Sequence, residues 1–105
     1  MTLSIRGSDI RKQLERFGSD TERAHPIDFY FYLKDERLAY LLAAELQRNT
    51  FDVTVEPSGA DQWLCLARKY LIPNETALES LLESITRLST SYEAEFDGWE
   101  SEIIF

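Results

Sequence analysis

The sequence predicts an α+β domain built on an antiparallel sheet. Period-two alternation of apolar residues marks strands near 27–33, 51–56, 62–70 and 92–97, and helical spacing marks the segments after the first and third of these. The element order is therefore strand, helix, strand, strand, helix, strand. Because crossover connections are right-handed, the order βαββαβ favours a ferredoxin-like plait, with a four-stranded antiparallel sheet and two helices on one face.

A short helix is predicted to precede this domain. Ile10, Leu14 and Phe17 recur at spacings of four and three, with basic residues beside them. Such a short helix is unstable alone in water, so it should dock on the rest of the molecule. We predict an N-terminal helix and linker over residues 1–24 and the ferredoxin-like domain over residues 25–105, with a single domain overall.

Residues 27–33 form the most strongly predicted strand, because apolar residues alternate there with Asp28, Tyr30 and Tyr32. The next helix should begin at an N-cap on Asp35 and should end near Arg48. Its predicted apolar face consists of Leu38, Leu41, Leu42 and Leu46. Asn49 is expected to adopt the left-handed conformation that closes the helix.

The second half of the chain is predicted to contain two more strands, a capped helix and a last strand. The strand at 51–56 is half polar, whereas the strand at 62–70 is apolar on both sides. Asn74 is expected to cap a long amphipathic helix, and the last strand should turn Tyr92, Ala94 and Phe96 inward. Strands that are apolar on both sides lie in the middle of a sheet, so the first and third strands are predicted to be central.

The face opposite the helices should carry aromatic residues. Tyr30 and Tyr32 are expected there beside Trp63, Cys65 and Ala67. The predicted acidic rims are Asp52, Thr54 and Glu56 on one edge, and Glu93, Glu95 and Asp97 on the other. An apolar patch of this kind needs a cover. The N-terminal helix, a second copy of the chain and a foreign protein are all open as covers.

The charge distribution indicates the class of partner. The net charge is −8, and it arises entirely in residues 51–105, where Arg68, Lys69 and Arg87 are the only basic residues. Acidity of this kind disfavours direct contact with nucleic acid and with anionic membranes, and it attracts basic protein surfaces. The same acidity is also compatible with a role in solubility alone.

The residues of catalytic chemistry are sparse. His25 is the only histidine and Cys65 the only cysteine, and neither has a recognisable set of catalytic partners. We expect His25 to be a solvent-facing turn residue and Cys65 to be a small strand hydrophobe. The carboxylates from Glu93 to Glu102 follow no calcium-loop pattern. The sequence thus predicts no enzyme, no cofactor and no metal site.

No segment has the length and apolar character of a membrane helix, and the first residues do not form a signal peptide pattern. A cytoplasmic protein is therefore expected.

A family resemblance rests on motifs in a fixed order. Residues 25–32 lead into a helix, and Phe51-Asp52-Val53, Trp63-Leu64-Cys65 and Phe96-Asp97-Gly98-Trp99-Glu100 follow. In this order they resemble the regulator of ribonuclease E activity B family, over about residues 8–102. Thr50 stands where members often have glycine, and we expect Asn49 to take over that turn.

The resemblance implies a ferredoxin-like domain without catalytic activity that binds ribonuclease E and inhibits RNA decay. The expected partner is a protein with a basic surface, either ribonuclease E or another RNA-degradation component. The predicted protein-binding residues are Tyr30, Tyr32, Trp63, Glu93, Glu95, Asp97 and Trp99. The alternatives are a small-molecule-sensing plait domain and a homodimeric interaction module. An enzyme similar to the small plait acylphosphatases is disfavoured, because the chain has no glycine-rich anion loop.

Two interpretations of Asp97-Gly98-Trp99 are open. Trp99 could anchor a partner, since tryptophan is enriched at binding hot spots. Alternatively, Gly98 permits a bend or bulge and Trp99 folds over the sheet edge, which is the interpretation that we favour.

Overall fold

The computed structural model describes the backbone of residues 2–5 and 10–104 and the side chains of residues 10–104. Five strands and three helices occupy these residues. In chain order they are β1 (Thr2–Ile5), α1 (Ile10–Arg16), β2 (His25–Leu33), α2 (Glu36–Arg48), β3 (Asp52–Pro57), β4 (Trp63–Leu71), α3 (Glu75–Ser91) and β5 (Glu95–Glu102).

The strands form one antiparallel sheet in the order β1-β5-β2-β4-β3. The predicted α+β class and antiparallel sheet are confirmed, and the arrangement is consistent with a plait. The prediction of four strands omitted β1, whose short segment lies along the Trp99–Glu102 half of β5. As a result, β5 has a neighbour on both sides over that half and is not a simple edge strand.

All three helices contribute to one hydrophobic core on one side of the sheet. Phe29 and Phe31 of β2 are fully buried in it, together with Leu42 of α2 and Ile85 of α3. Successive side chains of β2 alternate between this core and the opposite side, as a pleated strand requires, so Tyr30 and Tyr32 lie opposite the core.

The N-terminal helix α1 joins the same core. Ile10 and Leu14 are fully buried among its residues, and Arg11 Nη1 donates to Pro73 O at 2.9 Å. Phe17, predicted to share their stripe, is 43% exposed. The helix therefore does not cover the tyrosine side of the sheet, which answers the question that the sequence left open.

Two of the predicted helix caps are confirmed. The Asp35 side chain accepts from Leu38 N at 3.1 Å, and the Asn74 side chain accepts from Ala77 N at 3.2 Å. The left-handed conformation predicted for Asn49 was wrong, because Thr50 takes it, with φ of 68°. The chain thus makes this turn one residue later than predicted.

Two side chains differ in exposure from their predictions. Leu41 was placed on the apolar face of α2, yet it is 43% exposed, because Ala39, Leu42 and Leu46 already fill that face. His25 was expected in solvent but is fully buried. Its Nε2 lies 2.6 Å from Ser19 Oγ, and its Nδ1 lies 2.7 Å from Arg23 O.

Ser19 also connects the linker to the last residues that the structure describes. Ser19 Oγ accepts from Ile104 N at 2.7 Å, and Ser19 and Thr21 are both buried. The linker is therefore anchored at Ser19 and Thr21, whereas its other residues between 18 and 24 are exposed. The boundary between residues 24 and 25 stays a prediction.

None of the helices within the described residues has the length and apolar character needed to cross a membrane.

Candidate protein interface

The side of the sheet opposite the core is here called the open face. Residues that are paired across antiparallel strands point to the same side, so the register fixes its members. The face comprises Asp28, Tyr30 and Tyr32 of β2, Leu64, Leu66, Arg68 and Tyr70 of β4, Asp52, Thr54 and Glu56 of β3, and Glu95 and Glu100 of β5.

An apolar centre runs along the two middle strands of the open face. Tyr30 pairs with Leu66, and Tyr32 pairs with Leu64. All four side chains are half-buried, since each is packed sideways by its neighbours, and none belongs to the hydrophobic core. Among the described residues, no helix packs over them. The centre is therefore an aromatic and aliphatic surface without a cover in the described part of the chain.

The Tyr30 hydroxyl is fixed by a carboxylate. It donates to Glu100 Oε2 at 2.8 Å. Burial, followed by this hydrogen bond and by the negative charges of Glu100 and Asp28, raises the pKa of Tyr30 to about 12. The phenol is therefore neutral at physiological pH, and its ring is held in one orientation on the face.

Arg68 is the only cationic side chain on the open face among the described residues, and it is already paired. Its Nε and Nη2 donate to Asp28 at 2.6 Å and 2.9 Å in a bidentate contact. This hydrogen bonding to Asp28 raises the pKa of Arg68. The face therefore presents a net negative charge, because Asp28 neutralises the one guanidinium that it holds.

The remaining carboxylates lie on both sides of the apolar centre. Asp52 and Glu56 lie on the β3 side, and Glu95 and Glu100 lie on the β5 side. Asp52, Glu56 and Glu95 are exposed. A basic surface approaching the face would be attracted from both sides, which raises association rates and orients the encounter.

A cavity of about 440 Å³ opens where β2 ends. Tyr32 and Glu95 of the open face line one part of this cavity, so the cavity adjoins the face. Lys34, Leu38 and Glu93 line other parts of it. Glu93 precedes β5 in the turn after α3, where its φ is 57°. This turn brings Glu93 to the same cavity as Glu95, so two of the predicted acidic residues are brought together here.

The predicted placement of Trp63, Cys65 and Ala67 beside the tyrosines was wrong. These residues pair with Leu33, Phe31 and Phe29, so their side chains face the core. Strand β4 is apolar on both sides, and a period-two pattern alone cannot tell which side joins the tyrosines. Leu64 and Leu66, and not Trp63 and Cys65, lie beside the tyrosines on the open face.

The segment around Gly98 contains a β-bulge. Phe29 pairs with Trp99 while Phe31 pairs with Phe96, so Asp97 and Gly98 together oppose Tyr30. The predicted bend is present, with Gly98 at φ of 107°.

Trp99 does not fold over the sheet edge as predicted. It is 1% exposed and lies in the core, and its Nε1 has no hydrogen-bond partner among the described residues. A partner could not contact this side chain on the folded surface.

The predictions from the sequence did not include Glu100, which the bulge brings to the open face. The predicted strand ended near residue 97, but Trp99 and Ser101 alternate with Glu100 and Glu102 beyond it. That alternation was the available signal for a longer strand. An extra residue at Gly98 reverses the side on which the later residues lie, and this reversal places Glu100 beside Tyr30.

Cys65 and His25 are both fully buried, so neither side chain is accessible on the described surface. Cys65 is fully buried, and this burial raises the pKa of its thiol to about 12, so the reactive thiolate is suppressed. The prediction that Cys65 is a strand hydrophobe is confirmed. His25 is equally buried and is held by Ser19 and the backbone. Within residues 10–104, no group of side chains has the arrangement of a metal site.

Comparison with known proteins identifies a family for this chain. The family model described as regulator of ribonuclease activity B matches residues 4–101, nearly the whole chain. A search of curated proteins gives no significant match. The match to the family model confirms the resemblance inferred from the ordered motifs. The chain belongs to the regulator of ribonuclease activity B family.

Proposed function

We propose that the protein is a non-enzymatic, acidic regulator that binds a ribonuclease, or another component of the RNA-degradation machinery, through its open face. The family regulates ribonuclease activity, which supports this role. The partner would offer a basic protein surface, and the regulator would act in the cytoplasm without touching RNA. We further propose that the fold is related to the ferredoxin-like plait, with β1 added at one side.

The uncovered apolar centre of the open face carries this proposal. A contiguous apolar patch with polar surroundings is typical of protein interaction sites. Tyr30 and Tyr32 belong to a residue type enriched at binding hot spots, and the hydrogen bond to Glu100 orients the first of them. Because the centre lies on a sheet, its shape is set by the rigid scaffold and not by a loop.

The negative charge of the open face favours a basic protein over a nucleic acid as the partner. Plait domains that bind RNA stack bases on aromatic residues surrounded by cations. Here Arg68 is paired with Asp28, and Glu95 and Glu100 lie beside the tyrosines. Phosphates would be repelled by this arrangement, and a second acidic copy of the chain would be repelled as well. A basic protein satisfies both the apolar centre and the charge.

The predicted binding residues divide into three groups under this proposal. Tyr30, Tyr32 and Glu95 would contact the partner directly, and Glu93 and Asp97 would lie near its margin. Trp63 packs against the core and Trp99 lies within it, so both would support the face from below.

Inhibition of ribonuclease E by variants of the chain tests the proposal. We expect Tyr32→Ala to weaken binding by about 2 kcal/mol, roughly thirty-fold, because a hot-spot aromatic is lost. Glu95→Lys should also weaken binding, and added salt should weaken the wild-type complex. Binding would be measured by surface plasmon resonance, and inhibition by the cleavage of a model RNA.

Matched controls exist on the helical side of the molecule. Tyr40 of α2 is 54% exposed and Glu79 of α3 is also exposed, so Tyr40→Ala and Glu79→Lys make the same chemical changes away from the open face. These controls should leave binding and inhibition unchanged. Equal losses in the two sets, or a complex that ignores salt, would count against the open face as the interface.

A further inference from the structure

Strand β3 is an open edge of the sheet. Among the described residues it pairs only with β4, whereas β2 and β4 have neighbours on both sides. A strand with one neighbour directs alternate N–H and C=O groups away from the sheet, where they can pair with another extended chain.

The edge strand is held firmly in this position. Val53 and Val55 are half-buried against the core, and α2 packs on the same strand. Phe51 N donates to Leu46 O at 3.1 Å before the strand, and Ser58 N donates to Gln62 O at 2.9 Å after it. The strand is thus fixed at both ends, so an added strand would meet a preorganised backbone.

The other side of β3 carries charge. Asp52 and Glu56 are exposed on the open face with Thr54 between them, and within the described residues neither carboxylate has an ion pair. Acidic residues at an edge are a common protection against self-association. If two copies paired antiparallel about Thr54, Asp52 of each would lie opposite Glu56 of the other, and like charges would repel.

The same charges favour a basic strand. In an added strand, alternate side chains would lie beside Asp52, Thr54 and Glu56 on the open face, and lysine or arginine there would be paired. A cavity of about 430 Å³ beside Asp52, with Phe51 and Leu66 in its walls, has room for a side chain of that strand.

We propose that β3 binds an extended basic segment of the partner by strand addition, with basic side chains at alternate positions beside Asp52 and Glu56. This inference rests on the proposed function, and it specifies how the basic partner is held. The added strand would extend the open face by one strand. The edge of β3 would bind the backbone of the partner's segment, and the carboxylates on the open face would bind its side chains. Pro57, which has no N–H, marks the end of the segment.

A synthetic peptide can test this mode directly. The probe alternates lysine with threonine over about seven residues, a typical strand length. Titrated into the isotope-labelled full chain, it should shift the amide resonances of β3 and protect the outward-facing amides from hydrogen exchange. In an added strand, the N–H groups of the lysines and those of the threonines point to opposite sides, so only one set faces β3. Two copies, methylated either on the lysine or on the threonine nitrogens, keep the charge, and the copy that loses the donors facing β3 should bind at least about ten-fold more weakly.

Charge reversal supplies the second arm. The double variant Asp52→Lys/Glu56→Lys should weaken peptide binding by about ten-fold or more, because two attractions become repulsions. Its control is Glu79→Lys/Glu83→Lys on α3, where both residues are exposed. If both methylated peptides bind as tightly as the unmethylated one, or if the shifts avoid β3, strand addition is ruled out.

The outcomes separate this inference from the proposed function. If the β3 variant inhibits ribonuclease E as well as the wild type while Tyr32→Ala does not, the open face stands and strand addition at β3 falls. If the peptide adds to β3 but the intact chain does not bind the nuclease, the edge site stands and the proposed function falls.

Discussion

The two sides of the sheet use the same strands for different purposes. On β2, Phe29 and Phe31 are fully buried, whereas Tyr30 and Tyr32 between them remain half-buried on the open face. The buried side is enclosed by three helices, and the open side is flanked by carboxylates. The buried side can explain the fold without any partner. The open side has an apolar centre that no helix of the described residues covers.

The difference shows how one strand can separate stability from recognition. Side chains that are removed from water on folding contribute most of the stability, at roughly 25 cal/mol per Å² of apolar surface. Half-buried side chains retain surface that can still be removed from water by a partner. Substitutions on the buried side should therefore lower stability, and substitutions on the open side should weaken binding.

The largest expected effect is on the buried side. Phe31→Ala should lower the free energy of unfolding by about 3–5 kcal/mol, since it leaves a cavity beside Phe96, whose ring centroid lies 5.3 Å away. Tyr32→Ala, one residue further along, should cost only about 1 kcal/mol. Urea denaturation of both variants measures this. Equal costs would mean that the open face contributes to the core after all.

The bulge connects the two sides, and its glycine should give the next largest effect. Gly98→Ala should cost about 1–3 kcal/mol, because φ of 107° is strained for any residue with a Cβ. Gly59→Ala is the matched control: φ there is 74°, and nothing lies within 4 Å of an added Cβ. Its cost should be near the lower end of that range. A Gly98 variant that is as stable as the wild type would contradict the assigned bulge geometry.

The smallest effect concerns Tyr30 and depends on pH. Tyr30→Phe should cost about 1 kcal/mol at neutral pH through the lost hydrogen bond to Glu100. The pKa of Tyr30 is about 12 in the folded chain against an ordinary value of 10.0, so above pH 10 the unfolded chain ionises first and wild-type stability falls. The phenylalanine variant lacks this decline, so the gap between the two proteins should narrow from pH 10 to pH 12.

Thermal or urea unfolding as a function of pH measures that gap. Cys65 contributes its own decline, since its pKa rises from 9.0 to about 12 on folding, but it does so equally in both proteins. A gap that stays constant to pH 12 would show that the Tyr30 hydroxyl is not held by a carboxylate.

Much of the fold could be predicted because local signals agreed with the final packing. Alternation at 27–33 gave the central strand, and Asp35 and Asn74 gave the two long helices their starting points. These signals act over a few residues and do not need tertiary contacts. The short β1 lacked such a signal, because its four residues become a strand only by pairing with β5.

The candidate interface was less accessible to sequence reasoning. Tyr30 and Tyr32 were placed correctly because their neighbours on β2 are so apolar. Trp63 was assigned to the wrong side, because only the register with Leu33 decides which side of β4 faces the core. Glu100 was missed because a single extra residue at Gly98 inverts the pattern after it. Register and bulges depend on pairing between distant segments.

His25 illustrates the same limit at the level of one side chain. A histidine before a proline is typical of an exposed turn, but here the ring is enclosed and bonded to Ser19. The partner that satisfies its nitrogen lies in a segment that reads as a polar linker. Polarity alone therefore did not indicate exposure.

The enclosed indole of Trp99 gives the molecule an internal optical reporter. Its ring lies in the core while its Nε1 has no bonding partner among the described residues, an environment that shifts tryptophan emission to short wavelengths. Trp63 is half-buried and would emit differently. In a chain that retains only Trp99, fluorescence would follow the strand that carries Glu100. Events on the outer surface could then be observed from inside the protein, without any attached dye.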